Sequence, residues 1–314
     1  MKLSIIIPIY NEEENINELF REIRNAVAPL GLAFEVLAIN DGSSDKSLEV
    51  ARNASRGENN FKIIDFKKNY GQTAALSAGF DAAQGGIIIA LDGDGQNDPA
   101  DIPRLIEKME EGYDVVSGWR KDRKDALILR KIPSWIANYL ISLITEVYLH
   151  DYGCTLKAYK KEVVKELHLY GEMHRFIPAY AYWDGARVAE IIVNHRPRKF
   201  GKTKYGIGRT LRVVLDLLTV KFLTRYTTRP MHFFGWVSFV LMSFALASFV
   251  LAIYLRLAGI ATLIQTPLPL MGAFFSMASL QFVLMGLIAE MIMRNSFEGQ
   301  KKTVYQIKEK INFN

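Results

Sequence analysis

The stretch that decides the fold is Ile87-Ile88-Ile89-Ala90-Leu91-Asp92-Gly93-Asp94, an apolar run that ends in two carboxylates. Short apolar runs of this kind predict buried β-strands. Because residues i and i+2 of an extended chain point the same way, Asp92 and Asp94 would direct their oxygens to one point beyond the strand. Mg²⁺ and Mn²⁺ bind such oxygens, usually with substrate phosphates completing the coordination shell. The pattern predicts a metal-diphosphate site and group transfer from an activated nucleotide; the alternative is a solvated Asp/Gly turn.

Further apolar runs alternate with helical patterns in the first part of the chain. Strands that alternate with helices indicate an α/β fold with a doubly wound, mostly parallel sheet. The predicted strands are Leu3–Ile9, Phe34–Ile39, Phe61–Phe66, Ile87–Leu91 and Asp114–Gly118, and the predicted helices are Glu12–Val27, Lys46–Ser55, Gln72–Ala83 and Pro99–Glu111.

Polar clusters follow three of these strands, at residues 8–12, 40–45 and 92–96. Open α/β sheets bind ligands outside the carboxyl ends of their strands, so the clusters predict one shared crevice. Asp41 lies in this crevice, where its carboxylate is expected to accept hydrogen bonds from a base or ribose; a capping or turn role is the alternative. No G-x-G-x-x-G follows the first strand, which argues against a dinucleotide site.

Composition limits the class of protein. Cys154 is the only cysteine of the 314 residues, so an intramolecular disulfide is excluded and a cytoplasmic catalytic domain fits. The net charge of +6 suits an anionic membrane surface or a phosphate-rich substrate. No basic and aromatic array accompanies this charge, so nucleic acid is not an expected partner.

Two segments near the end of the chain are long enough to cross a bilayer. Phe233–Leu255 carries no charge, and Leu268–Met293 carries only Glu290. A spanning helix needs about 20 apolar residues, so residues 231–294 predict a transmembrane hairpin, against the alternative of a buried soluble hairpin. Basic residues flank it on both sides, which places the N-terminal domain, a tail at 295–314 and both termini in the cytoplasm of a multi-pass inner-membrane protein.

Two further segments predict helices at the membrane surface. Residues 131–149 are apolar but interrupted by Pro133 and Glu146, and 207–230 carries basic residues on one side. We interpret the first as an interfacial helix within a catalytic domain of residues 1–206, and the second as a juxtamembrane amphipathic helix. Ordinary core or oligomer packing is the alternative.

Seven stretches, in this order along the chain, carry a family resemblance. They are SIIIPIYNEEENI (4–16), INDGSSD (39–45), KNYGQTAALSAGFDAAQG (68–85), DGDGQNDP (92–99), GWR (118–120), DYGCTLKAY (151–159) and RPRKFGKTKYG (196–206). Together they resemble family 2 glycosyltransferases of the GT-A fold, in the group of dolichyl-phosphate mannose synthases and polyprenyl-phosphate glucosyltransferases. The resemblance covers residues 1 to about 230, and the hairpin suits the glucosyltransferase members.

The resemblance implies roles for the matching residues. The nucleotide sugar would be bound by Pro8, Tyr10, Glu12, Asp41 and Lys68. The metal would be bound by Asp92, Asp94 and Gln96, and the catalytic residues would be Asp92, Asp94 and Arg120. The acceptor phosphate would be bound by Arg120, Lys157, Arg198 and Lys204.

The chain departs from the family pattern at two places. Family members usually read Asp-Ala-Asp-Leu-Gln where this chain has Asp-Gly-Asp-Gly-Gln, and the glycines are expected to loosen the loop. The common Ser-Gly-Phe-Arg stretch is Cys154-Thr155-Leu156-Lys157 here, so Lys157 keeps the charge without the bidentate fork of arginine. The roles of Lys157 and the nearby Asp151 therefore stay open.

The resemblance also implies a reaction. A sugar, with UDP-glucose as the favoured donor, would pass to a polyprenyl phosphate with inversion, assisted by Mg²⁺ or Mn²⁺. The alternatives are a GDP-mannose-using dolichyl-phosphate mannose synthase and a non-catalytic membrane scaffold that binds nucleotide sugar. A flippase and a second glycosyltransferase are implied downstream partners, and a homo-oligomer is left open.

Overall fold

The computed structural model describes residues 2–121, 141–142, 145–165, 167, 169, 173–197, 230–298 and 304–313. The chain divides into two compact units. The first consists of Met1–Val220 together with Thr303–Asn314, and the second is Lys221–Lys302. The bounds predicted from the sequence, a catalytic domain of residues 1–206 and a tail at 295–314, stay predictions.

The described part of the first unit contains one sheet of eight strands. They are β1 (Lys2–Ile9), β2 (Ala33–Asn40), β3 (Phe61–Phe66), β4 (Ile87–Ala90), β5 (Val115–Trp119), β6 (Lys157–Lys160), β7 (Val188–Ile192) and β8 (Ile307–Ile311). The spatial order is β7-β5-β6-β4-β1-β2-β3-β8. The central strands β3, β2, β1 and β4 are parallel, whereas β6 and β8 are antiparallel to their neighbours.

Helices cover both faces of this sheet. They are α1 (Ile16–Val27), α2 (Ser47–Ala54), α3 (Gln72–Ala82), α4 (Ile102–Glu110), α5 (Lys161–Lys165) and α6 (Ile177–Trp183). The strand period of two divides β1 between the two layers: Ile5 and Ile7 belong to the core under α1 and α4, and Ile6 belongs to the core under α3. Each such fully buried isoleucine contributes about 2 kcal/mol of burial free energy, which fixes β1 and β4 at the centre.

The predicted strands β1 to β5 agree with the structure to within one residue at each end. Helix α1 begins at Ile16 rather than at residue 12, because a turn closed by the Asn15 amide and the Glu12 carbonyl (2.9 Å) precedes it. The structure adds β6, β7 and β8, which the sequence analysis did not predict. Part of the predicted tail, Ile307–Ile311, forms the edge strand beside β3.

The second unit contains two long helices, α7 (Pro230–Leu257) and α8 (Leu268–Glu298). Both are long and apolar enough to cross a membrane, and they contain the predicted spans at 233–255 and 268–293. The Ser238 and Ser279 hydroxyls are hydrogen-bonded at 2.8 Å, and Gly272 lies against the Phe249 ring. Small residues at such contacts let apolar helices approach closely, so the pair forms a hairpin.

The predicted surface helices cannot be compared with the structure over most of their length. Only residues 141–142 and 145–149 of the first, and residue 230 of the second, belong to the described part. The remaining positions of 131–149 and 207–230 lie outside the described residues.

Candidate active site

Asp92 and Asp94 follow β4 at the carboxyl edge of the sheet. The Leu91 amide still donates to the Ile6 carbonyl of β1 (3.1 Å), so the chain leaves the sheet immediately before the first carboxylate. The turn that follows is closed by its own side chains. The Asp92 amide donates to Asn97 Oδ1 (3.1 Å), and the Gln96 amide donates to Asp94 Oδ1 (3.0 Å).

This turn lies directly against β1. A Cβ atom placed on Gly93 would be 2.9 Å from the carbonyl oxygen of Pro8, closer than real Cβ contacts. Glycine at this position therefore allows close approach to the end of β1 rather than loosening the loop. The contact brings Pro8, a predicted nucleotide-sugar residue, next to the carboxylate turn.

The two carboxylates influence each other. Burial and the negative charge of Asp94 raise the pKa of Asp92 to about 6, while Thr155, Arg120 and Lys157 act to lower it. Gln72 Nε2 donates to Asp92 Oδ1 at 2.7 Å. Repelling carboxylates on a partly buried turn suit a divalent cation, which relieves the repulsion.

The donor set at this turn leaves room for substrate oxygens. Among the described residues, no group of three His, Cys, Asp or Glu side chains is placed to hold a metal ion. Two carboxylates, with Gln96 adjacent to them, match the way Mg²⁺ is bound beside substrate phosphates. The residues present therefore fit the predicted metal and diphosphate.

The loops after β1 and β2 are tied together. The Asn11 amide donates to Ser43 Oγ (3.0 Å), and the Ser44 amide donates to Asn11 Oδ1 (2.8 Å). Asn11 adopts a left-handed backbone (φ 53°), which asparagine tolerates better than most residues. These bonds fix the loop that carries two predicted nucleotide-sugar residues, the half-buried Tyr10 and the buried Glu12.

Asp41 holds the segment Lys67–Gly71. Its buried carboxylate accepts the amides of Tyr70 (2.6 Å) and Gly71 (2.9 Å). Burial raises the pKa of Asp41, although the two amide bonds oppose the shift. Lys68 lies exposed on the same segment, and its backbone lies against Gly42, the residue after Asp41. The structure thus shows a loop-holding role for Asp41, and its predicted contact with a base or ribose stays a prediction.

Arg120 and Asp151 form a bidentate ion pair. Arg120 follows β5, and its Nε and NH2 atoms donate to the two Asp151 oxygens at 2.7 and 3.0 Å. Burial alone would lower the pKa of Arg120, but the Asp151 carboxylate raises it. Fork-to-fork pairs fix the plane of a guanidinium group, so Asp151 sets the orientation of Arg120.

Asp151 is itself held by β7. Its amide donates to Glu190 Oε1 (3.1 Å), and His150 Nδ1 lies 2.8 Å from Glu190 Oε2. The His150 ring stacks on Trp119, with the ring centroids 4.0 Å apart. The residue whose role the sequence left open therefore connects Arg120 to the sheet.

Lys157 lies buried on β6, next to β4. Its Nζ donates to the carbonyls of Tyr152 (3.2 Å) and Cys154, and burial lowers its pKa. These bonds stabilise the turn that carries Asp151 and Thr155. Lys157 stabilises the site through these backbone contacts, and its predicted contact with an acceptor phosphate stays a prediction.

Arg196 is a residue that the sequence analysis did not single out. Its guanidinium contacts Asp98 (2.6 Å) and Glu22 (2.8 Å), and its amide donates to the Gln96 carbonyl (2.9 Å). Arg196 and Asp98 both lie in stretches that carry the family resemblance, and this was the sequence signal that could have identified them. The pair anchors the start of the 196–206 stretch at the carboxylate turn. The predicted phosphate ligands Arg198 and Lys204 lie outside the described residues.

The sequence matches a known family model over the region that builds this site. Residues 4–168 match the model for glycosyl transferase family 2, which is more than half of the chain. The chain belongs to glycosyl transferase family 2. The predicted enzyme class, a glycosyltransferase, is confirmed, and the matched region includes Asp41, Asp92, Asp94 and Arg120.

Curated family 2 relatives resemble the chain over nearly its whole length. The dodecaprenyl-phosphate galacturonate synthase of Rhizobium johnstonii is 41% identical over 313 residues, 98% of this chain and 93% of the relative. The undecaprenyl-phosphate 4-deoxy-4-formamido-L-arabinose transferase of Salmonella typhimurium is 39% identical over 295 residues, covering 93% and 88%. The similarity therefore includes the two long helices as well as the sheet.

Solved structures of other glycosyltransferases share the fold. Glucosyl-3-phosphoglycerate synthase from Mycobacterium tuberculosis, in complex with Mn²⁺, UDP and glucosyl-3-phosphoglycerate, has a TM-score of 0.55 at 17% identity, covering 70% of this chain and 79% of that one. TarS 1–349 from S. aureus, in complex with UDP-GlcNAc, has a TM-score of 0.51 at 19% identity, covering 71% and 67%. These similarities confirm the predicted GT-A fold class.

Proposed function

We propose that this chain transfers a sugar from a nucleotide diphosphate sugar to the phosphate of a polyprenyl phosphate. The observation that carries the proposal is the placement of Asp41, Asp92 and Asp94 beyond the carboxyl ends of β2 and β4, the two parallel strands on either side of β1. The names of the two relatives, both polyprenyl-phosphate enzymes of similar length, support the acceptor class.

The proposed reaction requires few chemical groups from the protein. The acceptor phosphate has a second pKa of about 6 and is largely a dianion near neutral pH. One of its oxygens attacks the anomeric carbon, the new carbon–oxygen bond forms, and the bond to the leaving diphosphate breaks with its electron pair. No proton has to be removed from the nucleophile, so a strong general base is not required.

The work of the chain is then electrostatic and positional. Asp92 and Asp94, with Gln96 beside them, would hold Mg²⁺ or Mn²⁺. The cation supplies charge stabilisation for the leaving diphosphate. Arg120, held in one orientation by Asp151, would position a phosphate group. Direct displacement inverts the anomeric centre, so an α-linked donor gives a β-linked lipid product; NMR coupling constants of an α-linked product would contradict this.

We place the two long helices across the inner membrane. The basic flanks favour the cytoplasmic side for the catalytic domain and both ends of the hairpin. The pairing of β8 with β3 supports this arrangement, because the segments before and after the hairpin join one sheet and must lie on the same side. Attack by a lipid-borne phosphate requires a catalytic domain that lies at a membrane surface.

The donor sugar is the least constrained part of the proposal. UDP-glucose is the donor favoured by the sequence resemblance, whereas the relatives' names specify galacturonate and 4-deoxy-4-formamido-L-arabinose. GDP-mannose is a further candidate. The assay described next therefore uses four donors: the UDP derivatives of glucose, galacturonate and 4-deoxy-4-formamido-L-arabinose, and GDP-mannose.

The test measures nucleoside diphosphate release by the full-length protein in detergent. Each donor is combined with undecaprenyl phosphate and Mn²⁺ or Mg²⁺, and each component is omitted in turn. We expect release from one donor only when lipid and metal are both present. Release without lipid, or from no donor in folded protein, would contradict the proposal; the second result favours a nucleotide-sugar-binding scaffold.

Matched variants identify the site. Asp94→Asn is expected to lower kcat/KM by about 10²-fold or more, because a metal ligand is lost. Glu107→Gln, which removes an exposed carboxylate on α4, is expected to leave turnover unchanged. Equal activity of the two variants would exclude the carboxylate turn as the metal site.

A further inference from the structure

The residues just before β8, the last described strand, lie beside the predicted nucleotide site. β8 runs antiparallel to β3, with Ile311 opposite Ile63 and Ile307 opposite Phe66. Because the two strands run in opposite directions, the residues just before β8 lie at the carboxyl end of β3. This is the edge of the sheet at which ligands bind in α/β folds.

Tyr305 makes the side-chain contacts at this end. It is buried, with 8% of its surface exposed, and its ring stacks on Phe66 with the centroids 5.1 Å apart. Phe66 in turn contacts the ring of Tyr70 edge-on at 5.7 Å. The Tyr305 hydroxyl donates to Asp81 Oδ2 on α3 (2.6 Å). Tyr305 thus joins the end of β3 to the helix beside it.

The backbone makes a parallel connection. The Lys67 amide, the first after β3, donates to the Gln306 carbonyl at 3.1 Å. The other end of the segment Lys67–Gly71 is bound by Asp41 through the Tyr70 and Gly71 amides. The segment is therefore held between Asp41 on one side and residues 305–306 on the other.

We propose that Tyr305 is a positioning residue for the nucleotide sugar, because it fixes the segment Lys67–Gly71 through Phe66 and Tyr70. The inference rests on the proposed function, in which this segment and Asp41 line the donor site. It assigns to Tyr305, just before β8, a role in donor binding and none in acceptor binding.

The opposite end of β8 offers a matched control. Asn312 Nδ2 donates to the Phe61 carbonyl at 2.7 Å, at the amino end of β3 and away from the ligand edge. Asn312→Ala removes this bond and also strains the backbone, because Asn312 has φ 61°, so it loosens β8 without touching the segment Lys67–Gly71. A role limited to holding β8 would make Tyr305 and Asn312 variants behave alike.

The experiment uses full-length protein in detergent and compares Tyr305→Ala, Tyr305→Phe and Asn312→Ala. Titration with UDP and, in parallel, GDP, each with Mn²⁺, gives the nucleotide Kd; initial rates give KM for donor and for undecaprenyl phosphate. We expect Tyr305→Ala to raise the nucleotide Kd and donor KM about tenfold. The lipid KM should be unchanged, and Tyr305→Phe should restore most of the loss because it keeps the ring stack.

The outcomes separate the two proposals. Equal changes in Tyr305→Ala and Asn312→Ala, or a lowered kcat with unchanged donor KM, would overturn the positioning role while leaving the proposed function intact. A wild-type protein that binds neither nucleotide would overturn both. If Tyr305→Ala does not fold, Tyr305→Leu keeps a sizeable apolar side chain, removes the ring stack and carries the same expectation.

Discussion

Replacing Asp151 by asparagine tests whether the Arg120 pair serves the reaction or only the fold. Arg120 and Asp151 are 13% and 5% exposed, and two charge-assisted hydrogen bonds join them. Removing one partner of a buried pair costs about 3–5 kcal/mol, and the partial exposure of Arg120 favours the lower end. Asparagine keeps one acceptor, worth about 1 kcal/mol, so we expect Asp151→Asn to lower the unfolding free energy by about 2 kcal/mol.

Asp151→Asn is also expected to slow turnover. Without its second acceptor the guanidinium is no longer fixed in one plane, and misplacement of a positioning group costs about 10- to 100-fold in rate. We expect kcat/KM for undecaprenyl phosphate to fall by this factor. Initial rates at varied lipid concentration measure it, and thermal unfolding in detergent reports stability.

Asp114 provides the control at the other end of β5. Its carboxylate pairs with Lys160 at 2.6 Å and accepts the Arg187 amide at 2.7 Å, so it resembles Asp151 in its bonds. Asp114→Asn should lower stability with unchanged kinetics in the remaining folded enzyme. If Asp151→Asn shows the same pattern as Asp114→Asn, the assignment of Asp151 as a positioning residue is wrong.

Three further predictions concern the carboxylates and the loop. Burial opposes ionisation of Glu35, but hydrogen bonds from Ser4, Lys62 and Gln84 outweigh it and lower its pKa below 4.5. Glu35→Gln should therefore lower the free energy of unfolding by about 2 kcal/mol at pH 7. Thermal unfolding should show this loss shrinking as the pH falls below about 4.5. Because burial and Asp94 raise the pKa of Asp92 to about 6, protons should compete with metal, and calorimetry should show Mn²⁺ affinity falling about fivefold from pH 6 to pH 5. Gly42 has φ +65°, and an added Cβ would lie 2.4 Å from the Lys68 carbonyl carbon, so Gly42→Ala should lower stability by more than about 2 kcal/mol and weaken nucleotide binding. A pH-independent Glu35→Gln difference, a flat Mn²⁺ profile or a neutral Gly42→Ala would each count against its prediction.

The strands that the sequence predicted share one physical property. β1 and β4 are buried on both faces, so their isoleucines form continuous runs that a sequence displays directly. β8 reads Ile-Lys-Glu-Lys-Ile, because an edge strand exposes its central side chains to solvent. Its assignment depends on pairing with β3, which no local pattern encodes.

The candidate site, like the sheet, was predictable from the sequence only in part. Asp92 and Asp94 are two residues apart in the sequence and directly follow a strand that the sequence displays. The Asp151 partner of Arg120 lies 31 residues away, so their pairing emerges only when β6 inserts between β4 and β5. Sequence patterns predicted the groups that would bind substrate; tertiary contacts were needed to find Asp151, which orients one of them, Arg120.

The position of β8 also has a consequence for biosynthesis. β3 is made early, whereas its edge partner is translated only after α7 and α8. If the helices span the bilayer as proposed, a molecule whose second helix does not cross back would leave β8 on the wrong side of the membrane. The edge of β3 would then be unpaired and prone to aggregation. Completion of the sheet is therefore conditional on correct insertion, and protease resistance of this edge would report the fraction of newly made chains that reached the right topology.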